Sequence, residues 1–177
     1  MTDANLISLL AAALTVFPSL IFARAAWHKL GEFTEFTGFV ADYKLLPERL
    51  VVPASWAIIG AEGLSVVLQL VPFGRPVGLA LAVLMLVAYG AAMAINIRRG
   101  RTAIECGCGG AAQPLSWALV VRNGLLASIG LTALLLPLGP MNASDAVAAI
   151  ASGFAVWMAF LLIEQILSNA SLARLTR

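Results

Sequence analysis

A chain of 177 residues that is 61% hydrophobic and only 11% charged lies outside the composition of soluble domains, where about a quarter of residues are charged. It is predicted to be an integral membrane protein. The net charge of +2 comes from basic residues dispersed among loops without a continuous basic face, so nothing points to nucleic acid. With two cysteines and one histidine, the chain offers no candidate zinc site, and it holds no hydrolase triad and no phosphate-cradling glycine loop.

Five apolar runs are long enough to cross the hydrocarbon, which takes about 18 or more residues. They cover approximately 5–26, 51–71, 76–97, 114–136 and 146–167. The expected architecture is an all-α integral membrane protein, a single domain over 1–177 with about five transmembrane helices and one interfacial helix. The first five residues hold Asp3 and no Lys or Arg, so the first run lacks the charged start of a cleaved signal peptide and is expected to remain as a span. Pro18 is a candidate kink. Trp27 and Lys29, at the end of this run, are expected to settle among lipid head groups, with His28 solvated beside them.

Residues 30–50 form the only sizeable polar segment. Phe33, Phe36, Val40 and Tyr43 recur there at three- and four-residue steps, which aligns them on one helical face. The segment reads as an amphipathic helix on the membrane surface over about 31–46, ended near Leu46-Pro47. It is either a cover for the cysteine loop or a spacer.

Span two carries Glu62 and span four carries Arg122-Asn123. A charge at the bilayer centre costs about 2.5–3.5 kcal/mol even on the lenient scale, so both are expected to turn inward and find partners. Mutual pairing of Glu62 with Arg122 is the simplest solution. Such a pair either fixes helix register or delivers protons to a leaving thiolate. Glu164-Gln165 in span five lies near the same end, so the polar groups cluster in the half of the bundle that holds the thiols. Span three offers Gly78 and Gly90 for close packing and Tyr89 as a hydrogen-bond donor. Trp157 and Phe160 in span five read as packing or lipid contacts.

Both cysteines stand in Glu105-Cys106-Gly107-Cys108-Gly109-Gly110, between spans three and four. Bridging them closes a very small ring, unlike ordinary disulfides, whose α-carbons lie roughly 5.5–6 Å apart. Strained bridges are readily reduced. The glycines permit positive φ and leave room for an attacking group. Arg98, Arg99 and Arg101 upstream favour a thiolate, whereas Glu105 opposes one. The alternatives are an inert glycine turn and capture of a soft metal by two thiolates. Nine Lys or Arg residues lie on the loop's side against Arg75 alone on the other. This bias sets the amino terminus outside and the carboxy terminus in the cytoplasm.

The turn Cys106-Gly107-Cys108-Gly109-Gly110, followed by Leu115-Ser116-Trp117 and Arg122-Asn123, resembles the MauE family of methylamine-utilisation membrane proteins, within a broader MauE/DoxX-like group. Lys29, Tyr43-Lys44-Leu45-Leu46-Pro47 and Glu62-Gly63 add to the resemblance. Gly109 departs from it, because a bulky residue often stands there. The resemblance implies a multi-pass protein of the bacterial inner membrane that assists disulfide maturation of methylamine dehydrogenase with a thioredoxin-like partner of the MauD type. Cys106 and Cys108 would be the catalytic pair of a thiol-disulfide oxidoreductase, with Glu62, Glu105, Arg122 and Asn123 in support. A quinone-linked oxidase of the DsbB type, with quinone as cofactor, and a soft-metal carrier stay open. The implied substrate matures in the periplasm while the charge bias sets the thiols at the cytoplasmic end. Either the loop folds into the bundle and is reached from both faces, or the orientation is inverted.

Overall fold

The computed structural model describes residues 3–71, 73–107 and 113–175. Six helices follow one another there: α1 Asp3–Gly31, α2 Phe33–Asp42, α3 Glu48–Leu70, α4 Arg75–Arg98, α5 Trp117–Leu135 and α6 Ala143–Leu175. All but α2 contain a stretch long and apolar enough to cross a membrane. The expected all-α bundle of five spans and one shorter helix is therefore the observed one. The only extended pairing among the described residues is an isolated antiparallel bridge between Glu105 and Pro114.

The centre of the bundle and its outer surface are apolar. Its centre is built by Phe17 and Phe22 of α1, Ala82, Met85 and Leu86 of α4, and Leu126 and Ala127 of α5. Leu64, Val67, Leu84, Leu125 and Leu162 stay exposed, as suits a surface facing lipid tails that are as apolar as Leu. Since burial of such side chains offers little advantage within lipid, close packing and internal hydrogen bonds hold the helices together. At Gly78 an added Cβ would lie 2.8 Å from Ser65 O and from Gln69 N. The bare glycine lets α4 approach α3 closely enough for Ser65 Oγ to donate to Gly78 O at 2.9 Å. At Gly90 an added Cβ would meet Asn123 Cβ at an ordinary 3.7 Å. Pro18 lies inside the continuous α1. Phe160 packs edge-on against Phe17, with ring centroids 5.8 Å apart, so it is a core contact rather than a lipid one.

Helix α2 is shorter than its sequence pattern predicts, because the chain turns at Lys44 with φ of 46° and Pro47 is extended at the start of α3. A proline disfavours helical geometry in the residue before it. Span four likewise starts three residues later than predicted, at Trp117, since the preceding backbone is used in the loop. Cys106 N donates to Gln113 O at 3.2 Å and Leu115 N to Ile104 O at 3.1 Å.

Arg75 is a correction to the loop count. Instead of facing water it is buried, donating from Nε to Thr15 Oγ1 at 3.0 Å and from Nη2 to the Ala133 carbonyl. Lys29 is buried too, so each side of the charge bias loses one residue.

Candidate functional site

Lys29, Glu62, Arg122, Asn123 and Glu164 gather at the end that carries the cysteine loop, in different pairs from the expected one, while Thr15, Ser65, Gln69 and Arg75 are buried toward the other end. Glu62 does not meet Arg122. Its fully buried carboxylate pairs through Oε1 with Lys29 Nζ and accepts the Tyr89 hydroxyl at 2.7 Å. Arg122 pairs instead with Glu164 of α6. The physical reason is helix placement: α3 packs beside α1 and α4, so a long side chain at the end of α1 reaches Glu62 first. Lys29 is thus no head-group anchor. It is 3% exposed, and its ammonium lies 5.1 Å from the ring centres of both Phe36 and Tyr89, which adds cation–π attraction. Its neighbour Trp27 is 81% exposed, as an anchoring side chain should be. His28 Nδ1 lies 3.2 Å from Glu32 Oε2 at the surface.

Cys106 is disulfide-bonded, and no described cysteine is a free thiol. The chain contains one other cysteine, Cys108, which with Gly109 and Gly110 lies outside the described residues. The Arg122 Nη2 group stands 3.9 Å from Cys106 Sγ, and Met93 Sδ stands 3.7 Å from it. Arg122 is therefore the cation beside the sulfur. Arg101, named from sequence for that position, donates instead to Tyr43 O and Asn96 Oδ1, each at 3.3 Å, while Arg98 and Arg99 are exposed. Gly107 has φ of 67°, the left-handed conformation that glycine enters without Cβ strain.

Helix α2 covers the loop. Phe39 sits so near Gly107 that an added Cβ would be 3.1 Å from Phe39 Cβ. The Tyr43 hydroxyl donates to Cys106 O at 3.2 Å. Burial pushes the Tyr43 phenol up to about 12, with Arg122 pulling weakly the other way, so this donor keeps its proton at neutral pH. Phe33, on the same helix, stacks on Trp56 at 4.4 Å between ring centres and fastens α2 to α3.

Cys106 lies in the wall of two cavities. One, of about 310 Å3, reaches from the charged side chains of Arg24, Glu32 and Glu35 inward to Glu62, Arg122 and Trp157. Glu105 and Asn123 also line it. Asn123 is held by a bond from Nδ2 to Leu119 O of 2.9 Å. Three buried polar atoms of that lining, Glu62 Oε2, Arg122 Nε and Trp157 Nε1, have no hydrogen-bond partner. The second cavity, of about 280 Å3, lies under α2 between α3 and α4, and its walls are mainly apolar. Lys29, Phe36, Phe39, Tyr89, Cys106 and Gly107 line both. No group of three or more metal-ligating side chains occurs among the described residues.

Sequence reasoning brought Cys106, Glu62, Arg122, Asn123 and Glu105 to this site. It missed Lys29, Phe39 and Met93. A signal for Lys29 was present: Phe22, Ala25, Ala26 and Lys29 continue one buried stripe of α1 at three- and four-residue steps.

These features define a multi-pass membrane protein in which five apolar helices and one shorter helix hold a half-buried, disulfide-bonded loop. The chain matches the family model described as methylamine utilisation protein MauE over residues 7–136, and it belongs to that family. It is 42% identical over 127 residues to methylamine utilization protein MauE of Paracoccus denitrificans, covering 67% of this chain and 65% of that protein. To the protein of the same name from Methylorubrum extorquens it is 43% identical, covering 70% of this chain and 68% of the relative. To that of Paracoccus versutus it is 34% identical, covering 84% and 82%. The chain thus spans slightly less than two thirds of the Paracoccus denitrificans relative. No solved structure matches it.

Proposed function

We propose that the protein is a thiol-disulfide redox component of the bacterial inner membrane that exchanges electrons with a thioredoxin-like partner of the MauD type. In this reading it serves disulfide maturation of methylamine dehydrogenase or a similar exported protein. The observation that carries it is the disulfide-bonded Cys106 in a cavity wall, with the Arg122 guanidinium 3.9 Å from its sulfur.

The chemistry follows from that arrangement. A partner thiolate attacks one sulfur of the bridge, a mixed disulfide forms, and the other sulfur leaves as a thiolate. A cation favours the thiolate nearest to it. Arg122 therefore makes Cys106 the leaving sulfur and directs attack to Cys108. The polar cavity suits a visiting polypeptide, since Arg24, Glu32, Glu35 and Arg122 line it with charged groups able to hydrogen-bond.

Trapping tests this reading. Offered the partner in its disulfide form, Cys106→Ser should attack it through the Cys108 thiolate and accumulate a mixed disulfide as the partner's other sulfur leaves as a thiol, while Cys108→Ser should accumulate far less. The reading fails if neither variant forms one and both sustain maturation. In the orientation set by charge bias the loop is cytoplasmic, whereas an exported partner needs it periplasmic. Membrane-impermeant thiol reagents applied to the reduced protein from each face distinguish the two.

A further inference from the structure

A sulfur that accepts electrons from a protein thiol must pass them on before it can react again. The second cavity supplies a place for the next carrier. It is walled by Val40, Ile58, Ala92 and Met93 together with Leu45 and Leu46, and the last two are 38% and 41% exposed in the turn after α2. An apolar chamber with exposed leucines at its edge, in a bundle whose outer surface is apolar, admits a lipid-soluble molecule. Its volume of about 280 Å3 is near the lower limit of small-molecule pockets, roughly 300 Å3, which is room for a ring but not for a long tail.

The polar groups in its wall are few and specific. Lys29 Nζ gives one hydrogen bond to Glu62 Oε1, and an ammonium has three N–H donors. Tyr89 gives its proton to the same carboxylate oxygen. The chamber thus presents a cation able to donate to a carbonyl oxygen, flat aromatic faces at Phe36, Phe39 and Tyr89, and the Cys106 sulfur.

We propose that this apolar cavity binds the ring of a quinone, which oxidises the Cys106–Cys108 dithiol. The proposal rests on the redox reading above and names the second reactant. Two S–H bonds break and one S–S bond forms as two electrons pass to the quinone. Its two carbonyl oxygens take up two protons and become hydroxyls, so the thiols supply everything the quinol gains. Lys29 donates to the oxygen where negative charge builds. Glu62 holds Lys29 in place. A protein dithiol attacking Cys108 then re-reduces the bridge, whereas the quinone meets Cys106 in the wall of the apolar cavity.

The test uses the full chain in lipid nanodiscs, reduced, freed of reductant and kept anaerobic. Decylubiquinone is the probe, because its fully substituted ring takes no thiol adduct. The expected result is loss of quinone absorbance with disappearance of two thiols per quinone. Ala92→Phe and the rim variant Leu46→Trp should each raise the quinone KM by about tenfold or more, the scale on which pocket contacts discriminate. Lys29→Met should lower kcat with a smaller change in KM. The proposal is overturned if the folded, reduced protein consumes no quinone, or if both cavity variants react like the native chain. It is also overturned if Trp157→Phe, in the polar cavity, raises the quinone KM and the apolar-cavity variants do not. Quinone consumption without any trapped partner would sink the partner reading alone. A trapped partner without quinone consumption would sink this one alone.

Discussion

Replacing either Lys29 by Met or Glu62 by Gln should destabilise the bundle more than other single polar substitutions at the cysteine end. Lys29 is 3% exposed and its partner Glu62 0% exposed, so loss of the lysine leaves a carboxylate in an apolar interior with only the Tyr89 hydroxyl to satisfy it. Breaking a buried ion pair from one side costs about 3–5 kcal/mol, whereas removing both charges is far cheaper. We therefore expect Lys29→Met and Glu62→Gln each to cost about 3 kcal/mol, a loss of about two orders of magnitude in the folding equilibrium. The double variant should recover about 2–3 kcal/mol of the summed loss, within the range of couplings between residues in contact. The assay is reversible unfolding in mixed micelles of a mild detergent and dodecyl sulfate, followed by circular dichroism. A second cycle with Glu62→Gln and Arg122→Met provides the contrast, and its coupling should stay below about 0.5 kcal/mol, as for residues without shared partners. If the Glu62–Arg122 coupling exceeds the Glu62–Lys29 coupling, the pairing described here is wrong.

Four further outcomes are expected. Gly107→Ala combines a left-handed backbone with a close contact to Phe39 and should cost about 1–3 kcal/mol, seen as faster proteolysis of the cysteine loop. Tyr43→Phe removes the bond to Cys106 O and should weaken the loop by about 0.5–1.5 kcal/mol, read by hydrogen exchange at 104–107. Because burial raises the Tyr43 phenol to about 12, the folded state holds its proton more tightly than the unfolded chain. This contribution is complete below the ordinary tyrosine value of about 10 and is lost as pH rises from there through about 12. An ultraviolet titration of Tyr89→Phe, which leaves Tyr43 as the sole tyrosine, reads that ionisation directly. Arg122→Gln should slow reduction of the bridge by a soluble dithiol about tenfold, since one neighbouring cation is removed from the leaving sulfur.

Much of this was legible in the residues, and the limits have physical causes. Runs of apolar residues announce spans directly, because hydrocarbon thickness sets their length. The bounds at α2 and α5 shifted where Lys44, Pro47 and the backbone of Gln113 and Leu115 serve a turn or the loop, which hydropathy cannot register. Glu62 and Arg122 had to face inward, and they do. Which partner each takes depends on the order of helices around the bundle, and no periodicity encodes that order. Lys29 shows the same limit from the other side. At the end of a span a lysine usually snorkels, and only the buried stripe it continues along α1 distinguishes it. Arg75 was read as a loop cation because it stands at the end of an apolar run. Its acceptors, Thr15 and the Ala133 carbonyl, lie 60 and 58 residues away along the chain.

Those distant acceptors bear on biogenesis. During insertion α4 follows α1 but precedes α5, so its arginine enters the bilayer boundary before Ala133 exists as a partner. Until α5 arrives, that guanidinium is drawn back toward the head groups, and α4 is held short of its final depth. The end of the molecule remote from the sulfur therefore closes only when α1, α4 and α5 are together.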